Sequence, residues 1–203
     1  MDREKIKKGL KDPVRAYKSI RNLARGHYYK IKYKLLNQDV IIGKNFHVRG
    51  RLIIKGPGKV VIGDNVTMDG STTGPVTPFT NTKDAVIFFG NGVQTSSLRI
   101  SCSKRVEIGD NSYVAESRIL DTDFHSLDPS RRDDPDLIKS SPIIIGKNVW
   151  IGFDCVIMKG VTVEDNSTIA ARSVLCSYTH VPEYTVFGGH PAVLMKKISR
   201  ENE

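Results

Sequence analysis

The fold is decided by the stretch at residues 142–175, which reads PIIIGKNVWIGFDCVIMKGVTVEDNSTIAARSVL. Aliphatic residues recur there at every sixth position, and a small or β-branched residue follows each of them four positions later. The two series are Ile145, Ile151, Ile157, Val163, Ile169 and Val149, Cys155, Val161, Ser167, Ser173. A helix would scatter every sixth residue around its axis, so this period excludes a helix. It predicts short strands separated by tight turns, with one aliphatic side chain per strand pointing inward.

The same organisation extends over most of the chain. A four-residue string, Ile-Gly-Asp/Lys-Asn, begins at Ile42, Ile62, Ile108 and Ile145, and residues 52–65 match residues 98–111 at a spacing of 46. Shorter hexad runs occur at Ile42, Val48, Ile54 and at Ile108, Val114, Leu120. Self-similarity at a fixed period indicates a solenoid of stacked coils. We therefore predict an all-β protein, a parallel β-helix.

The domain boundaries follow from where this period holds. The β-helix is predicted over residues 37–187, and a long loop at 121–142 interrupts it. A loop of that length in a compact domain is usually functional. Residues 69–84, rich in Gly, Ser, Thr and Pro, are also predicted as a loop. Residues 188–203 form a tail in which Pro191 is predicted to open a short amphipathic helix.

The positive charge of the chain is confined to its N-terminal segment. Residues 1–36 hold 12 Lys and Arg against 3 Asp and Glu, whereas residues 37–203 hold 19 of each kind. Apolar residues recur there mostly at steps of three and four, so we predict a basic amphipathic helix that starts at Asp12-Pro13 and breaks at Gly26. Such a helix can lie on an anionic membrane, or it can dock on the body or on a sister subunit. A balanced body disfavours a nucleic-acid-binding fold.

The cysteines and the N-terminal residues indicate where in the cell the protein is located. Cys102, Cys155 and Cys176 show no metal-ligand spacing, so we expect neither a disulfide framework nor a metal site. No apolar run is long enough to span a membrane, and no secretory signal is recognisable. We predict a cytoplasmic protein, with peripheral contact at the inner face of the membrane as the further option.

His125 is the candidate catalytic base. An imidazole suits this role because its ordinary pKa, about 6.5, lets it accept a proton from a weak nucleophile near neutral pH. Alternate residues of an extended chain share a face, so we expect Asp121 and Asp123 to flank the ring, with Asp123 fixing its tautomer. The alternative is an ordinary loop histidine with turn-forming neighbours.

Three segments carry a family resemblance. The hexads at 142–175, the tail VPEYTVFGGHPAVLMKKI at 181–198 and the loop DTDFHSLDPSRR at 121–132 resemble the left-handed β-helix acyltransferases. The galactoside and maltose acetyltransferase branch is similar, and the loop resembles more closely the O-acetyltransferases of surface-polysaccharide gene clusters. The resemblance covers roughly residues 40–198. It implies left-handed coils, acetyl-CoA as donor, His125 as the base, and a homotrimer with active sites between neighbouring subunits.

The resemblance also implies a donor site along the outside of the C-terminal coils. Arg172 stands where the family has Gly, and Val193 stands where it has Arg, so the phosphate contacts pass to other cations. Residues 95–97 read Thr-Ser-Ser where the galactoside branch has an acceptor-binding Asn, which implies a different acceptor. The candidate donor contacts are Trp150, Gly152, Ala171, Arg172 and Lys196.

The predicted function is an acetyl-CoA-dependent O-acetyltransferase that acts on a saccharide, a precursor of a surface polysaccharide or exopolysaccharide. We expect direct transfer rather than an acyl-cysteine intermediate, because Cys155 occupies an inward hexad position. One alternative is N-acetylation of an amino sugar or a nucleotide sugar on the same scaffold. An alternative of another class is a catalytically silent trimeric scaffold.

Overall fold

A computed structural model describes residues 12–199 as one α-helix, α1 (Pro13–Leu35), followed by a left-handed parallel β-helix whose loop at 121–142 contains a short 3-10 helix (Pro135–Leu137). Each coil visits three sheets in turn, so the cross-section is three-sided. The first sheet contains β1 (Val40–Ile42), β3 (Lys59–Ile62), β6 (Val86–Phe89), β9 (Arg105–Ile108), β12 (Ile143–Ile145), β15 (Thr162–Val163) and β18 (His180–Val181). The second contains β2 (His47–Gly50), β4 (Thr67–Gly70), β7 (Gln94–Ser96), β10 (Tyr113–Ala115), β13 (Trp150–Ile151), β16 (Thr168–Ile169), β19 (Thr185–Gly189) and β20 (Ala192–Lys197). The third contains β5 (Thr77–Thr80), β8 (Arg99–Cys102), β11 (Arg118–Leu120), β14 (Val156–Met158) and β17 (Val174–Leu175).

Both hexad series point into the prism, as predicted. All ten of their side chains are at most 1% exposed. The parallel register stacks like on like, since Ile145 pairs with Val163 and Ile151 pairs with Ile169 on the next coil. Burial of one aliphatic side chain per strand therefore stabilises each coil against its neighbours, and the predicted parallel β-helix is confirmed.

The repeated Ile-Gly-Asp/Lys-Asn string forms the corner between the first and second sheets. Its Asn adopts the left-handed backbone conformation that turns the chain, with a φ of 59° at Asn65. The preceding Asp64 accepts a hydrogen bond from the backbone N–H of Lys44 at 2.7 Å, and Asp110 does the same for the backbone N–H of Asn91 at 2.7 Å. The string thus ties each of these coils to the one before it, and its 46-residue spacing spans two coils.

Two details of the predicted period are wrong. Ile119, rather than Leu120, fills the inward position and pairs with Ile157, because the preceding corner is one residue shorter than in the next coil. Residues 69–84 are not simply a loop, since they contain β5, which pairs with β8 of the third sheet. The strand was not recognised because Gly and Pro residues surround it, although the neighbouring Val76 is fully buried.

Helix α1 begins as predicted but does not break at Gly26. The Asp12 side chain accepts a hydrogen bond from the Arg15 N–H at 2.9 Å and so caps the first turn. Gly26 is buried where a Cβ atom would overlap the Phe46 carbonyl, so its small size allows a close approach rather than ending the helix. Residues 1–11, including two members of the predicted apolar series, lie outside the described residues.

The predicted C-terminal helix is wrong, because residues 192–197 form β20, antiparallel to β19. The last coil leaves an open strand edge at β19, and a hairpin back onto that edge satisfies its N–H and C=O groups. So short a segment has little helical stability of its own. Within residues 12–199, α1 is too polar to cross a bilayer, and no other helix is long enough to do so.

Candidate active site

The loop at 121–142 leaves the corner between the third and first sheets, and Asp121 anchors its base. The Asp121 side chain is fully buried, and its carboxylate accepts hydrogen bonds from the backbone N–H groups of Ser103 (2.6 Å), Lys104 (2.7 Å) and Arg105 (2.9 Å). These donors turn the corner of the preceding coil. Asp121 is therefore a structural residue that stabilises a corner, and it does not face the imidazole of His125 as expected.

Asp123 forms an ion pair with Lys159 of the following coil. Both side chains are largely buried, at 13% and 9% exposed. A buried ammonium group requires a carboxylate partner, and this pairing satisfies both charges. Within residues 12–199, no hydrogen bond or ion pair joins Asp121 or Asp123 to His125, so the expectation that both acids flank the ring is wrong.

His125 lies on the exposed part of the loop. Its Nδ1 atom is 3.4 Å from a carboxylate oxygen of Asp133, and the two side chains are 66% and 93% exposed. A backbone hydrogen bond from Ser126 to Arg132, of 2.9 Å, brings these two residues together. Asp133 is the acid that sequence reasoning missed, because it is one of several acids in a polar stretch and only the loop conformation selects it.

An open groove of about 670 Å³ runs along the outer face of the second sheet and its corner with the third sheet. It brings together three of the predicted donor contacts, Trp150, Gly152 and Ala171. Tyr113 and Phe153 also line it, and neither was predicted from the sequence. Most of its lining surface is apolar, and Trp150 is 59% exposed to it and to solvent.

The size of the small residues shapes this second-sheet groove. A Cβ atom at Gly152 would approach the backbone N of Ala171 to 2.6 Å, so a larger residue would push the two coils apart. Gly152 is thus required by the coil as well as by the groove. Ala171 is exposed, and a bulky side chain at that position would fill the groove.

The two predicted cations lie beyond the groove's lining residues. Arg172 packs its guanidinium 5.9 Å from the centre of the Phe153 ring and pairs with Asp154 at 3.6 Å, which puts it at the rim. Lys196 is exposed on β20, whose neighbour β19 pairs with β16. Both cations therefore lie toward the C-terminal end of the groove.

A smaller groove, of about 310 Å³, lies on the third sheet where the loop begins. Arg99 and Arg118 are adjacent in register there, and both are exposed. Neither forms an ion pair with an acidic side chain of residues 12–199. The remaining lining residues of this third-sheet groove are Thr77, Ile100, Ser101 and Leu120.

The two buried cysteine side chains, Cys102 and Cys155, do not resemble activated nucleophiles. Burial raises the pKa of the Cys155 thiol, whose Sγ lies 3.1 Å from the Ala170 carbonyl oxygen. Burial and the neighbouring Asp121 carboxylate raise the pKa of the Cys102 thiol as well. A nucleophilic cysteine needs a lowered pKa. Among residues 12–199, no three His, Cys, Asp or Glu side chains form a group that could hold a metal ion.

Comparison with known proteins gives one family and several relatives. The family model for the bacterial transferase hexapeptide (six repeats) matches residues 142–177. A putative lipopolysaccharide biosynthesis O-acetyl transferase of Escherichia coli, WbbJ, is 29% identical over 83% of this chain and 89% of its own length. The galactoside O-acetyltransferase of Escherichia coli is 37% identical over 51% of this chain, which spans only 49% of that relative.

Solved structures share the fold. A mutant of AntD, an N-acyltransferase from Bacillus cereus solved in complex with dTDP and coenzyme A, superposes with a TM-score of 0.63. The match covers 84% of this chain and 89% of that chain at 17% sequence identity. At so low an identity, the likeness concerns the fold alone.

Proposed function

We propose that this chain is a hexapeptide-repeat acyltransferase and that it transfers an acetyl group from acetyl-CoA to a saccharide hydroxyl, which the family match at residues 142–177 and the likeness to WbbJ support. The acceptor we propose is a precursor of a surface polysaccharide or exopolysaccharide. One observation carries the proposal above all others: an open, mostly apolar groove lies along the coils, and a loop beside the same coils presents an exposed histidine. Together they supply a place for a thioester and a base.

The second-sheet groove suits the pantetheine arm of acetyl-CoA. An arm without charge favours an apolar channel, and the small residues Gly152 and Ala171 leave room for it in this groove. Trp150 offers a flat apolar surface beside them. Arg172 and Lys196, toward the C-terminal end, would attract the phosphates of the nucleotide, and Arg172 stays extended at the rim through its contact with Phe153.

His125 then acts as general base in a single transfer step. The acceptor oxygen attacks the thioester carbonyl carbon while its proton moves to the imidazole. The new C–O bond forms, the C–S bond breaks, and the proton passes from the imidazolium to the departing thiolate of coenzyme A. Asp133, at 3.4 Å from Nδ1, is the acid we assign to orient the ring, in place of Asp123. Asp123 becomes a positioning residue that acts through Lys159.

The site needs a second copy of the chain. The second-sheet groove lies at the corner between the second and third sheets, whereas the loop leaves the corner between the third and first sheets. No residue of the loop lines the groove. We therefore propose a homotrimer in which the His125 loop of one subunit faces the groove of its neighbour.

The third-sheet groove is our candidate for the acceptor, because it adjoins the base of the His125 loop. Its two unpaired arginines would attract a carboxylate or a phosphate. We therefore propose an acceptor that carries an anionic group. The sequence left open whether the N-terminal segment contacts an anionic membrane or packs against the protein, and the surface that bears on this choice is described below.

Calorimetric titration of acetyl-CoA, followed by turnover with candidate acceptors, tests this function. We expect His125→Gln to keep donor affinity and to lower kcat at least a hundredfold, because the base acts only in the transfer step. His27→Gln, an exposed histidine on α1, serves as the matched control and should behave as wild type. Absence of acetyl-CoA binding in the wild-type protein would favour the silent scaffold.

N-acetyl transfer to an amino sugar or a nucleotide sugar is the second candidate. A histidine base serves either acceptor atom. Paired acceptors that differ only in a hydroxyl or an amino group at one carbon would distinguish the two reactions. Faster turnover of the amino sugar would overturn O-transfer while leaving the donor site intact.

A further inference from the structure

Helix α1 has two apolar faces, and only one of them is covered by the β-helix. The covered face includes Gly26, Tyr29 and Tyr33. The Tyr29 and Tyr33 hydroxyls accept hydrogen bonds from the N–H groups of Leu52 (3.1 Å) and Ile54 (2.9 Å). Since α1 also contacts β1 and β2, it touches all three sides of the first coil and lies across the end of the prism.

The other face is a row of exposed apolar side chains, which we name the α1 stripe. Its members follow one another at steps of mostly three or four residues, so they share one side of the helix. Ile31 precedes the docked Tyr33 by two residues, which is about 200° around a helix, so the α1 stripe points away from the β-helix. Its large members are 59–80% exposed, and they are Val14, Tyr17, Ile20, Tyr28, Ile31 and Leu35.

The charges of α1 surround this stripe. Residues 13–35 contain seven Lys and Arg residues and no Asp or Glu. At 100° per residue, Lys18, Arg21 and Arg25 fall on one flank of the α1 stripe, and Lys30 and Lys34 fall on the other. An apolar strip bordered by cations is the pattern of a helix that lies in the interface of an anionic bilayer.

We propose that the α1 stripe is the docking surface for an anionic lipid bilayer. A second copy of the chain fits this surface less well, because pairing two α1 stripes would bring together two helices that each carry seven positive charges and no acid. A lipid surface with negative headgroups complements those charges and takes up the apolar side chains at the same time.

The docking surface also fixes the distance between the lipid surface and the His125 loop. The meaning of that distance for catalysis rests on the proposed function. Because α1 crosses the end of the prism, the first coil faces the lipid. The coil from which the His125 loop leaves is three strand spacings further on, in the order β1, β3, β6, β9. With the thickness of α1 added, the loop lies roughly 25 Å from the lipid surface. That height suits an acceptor glycan attached to a membrane lipid.

Sedimentation of the full-length protein with vesicles tests the docking surface. The vesicles contain phosphatidylcholine with or without phosphatidylglycerol. We expect binding only with phosphatidylglycerol, and weaker binding as NaCl rises from about 0.1 M to about 0.5 M, because salt screens the cations. Ile20→Asn combined with Ile31→Asn should lower vesicle binding about tenfold or more. Val193→Asn, at the far end of the β-helix, is the matched control and should leave it unchanged.

Separate measurements keep the outcomes distinct. The double variant changes exposed side chains, so its thermal unfolding and its affinity for acetyl-CoA should match wild type, and failure of acetyl-CoA binding would overturn only the proposed function. Equal binding of wild type and double variant to anionic vesicles would overturn the docking surface. So would a loss of oligomeric mass in the double variant by light scattering, because the α1 stripe would then be a contact between copies.

Discussion

The coils at residues 143–181 bury an aliphatic side chain at each inward strand position, whereas the loop at 121–142, just before them, is anchored by the buried carboxylate of Asp121. In the coils, the stabilising contacts repeat with the sequence period. In the loop, they join side chains to distant positions, as Asp123 does with Lys159, 36 residues away. In the coils, a change in the volume of a buried side chain should be destabilising. In the loop, the loss of a single polar contact should alter the conformation.

The largest expected effect comes from creating a cavity in a coil. Ile151→Ala should lower the free energy of unfolding by about 2 to 5 kcal/mol, because a fully buried side chain is truncated between stacked coils. Ile41→Ala, at a position 51% exposed, should change it by less than about 1 kcal/mol. Urea titration of both variants measures the difference. Equal losses would mean that apolar stacking does not dominate the coils.

The ion pair between Asp123 and Lys159 offers the corresponding test of the loop. Lys159→Met should lower the free energy of unfolding by about 3 kcal/mol, because it leaves the carboxylate of Asp123 buried without a partner. Adding Asp123→Leu should recover most of that loss, while kcat stays low because the His125 loop is no longer tied to the next coil. A double-mutant cycle in urea, combined with kcat and acetyl-CoA affinity, checks this. Recovery of kcat in the double variant would show that the pair does not position the loop.

The third prediction concerns a functional residue on the outer face of a coil rather than in the loop. Arg118→Gln, in the third-sheet groove, should raise KM about tenfold for an acceptor with a carboxylate or phosphate and leave KM for a neutral analogue unchanged. Arg51→Gln, an exposed arginine before the third sheet, is the control. Steady-state kinetics with the paired acceptors measures the effect, and equal KM changes for both acceptors would exclude an anion contact.

The smallest effect is a pH dependence in the first coil. Burial lowers the pKa of His47 below its ordinary value of 6.5, so the unfolded chain binds the proton more readily. The free energy of unfolding should therefore be highest above pH 6.5 and fall, by less than about 1 kcal/mol, as pH decreases from about 7.5 to about 5.5. Urea titrations at several pH values follow this change. His47→Gln should flatten it, and an unchanged slope would assign the dependence to other groups.

Much of the site was recognisable in the sequence only as residue types. The family resemblance assigned Trp150, Gly152 and Ala171 to one donor site, and the structure brings them into one groove. Tyr113 escaped notice because it belongs to another coil and becomes a neighbour of Trp150 only through strand pairing. Asp133 escaped notice because a backbone contact within the loop selects it from among several acids.

For helix α1 as well, part of the structure was predicted from the sequence and part was not. Its start at Asp12-Pro13 was predicted, because a capping side chain followed by Pro is a local signal. Its apolar series was also recognised, yet the face that docks carries Gly26, Tyr29 and Tyr33 instead of the α1 stripe. Aliphatic periodicity identifies an amphipathic helix, but it does not say which side meets the body when tyrosine hydroxyls form the contacts.

The sequence by itself determined the coils, because the contacts that stabilise a β-helix recur every few residues and leave a period that can be read directly. It also determined the start of α1, while His125 as the base stays a prediction that rests on the family resemblance. Only the tertiary structure decided the partner of Asp123, the strand at Ala192–Lys197 and the separation of loop and groove on different corners of the prism. Those features depend on which distant segments the fold brings into contact, and contacts between distant segments produce no local sequence pattern.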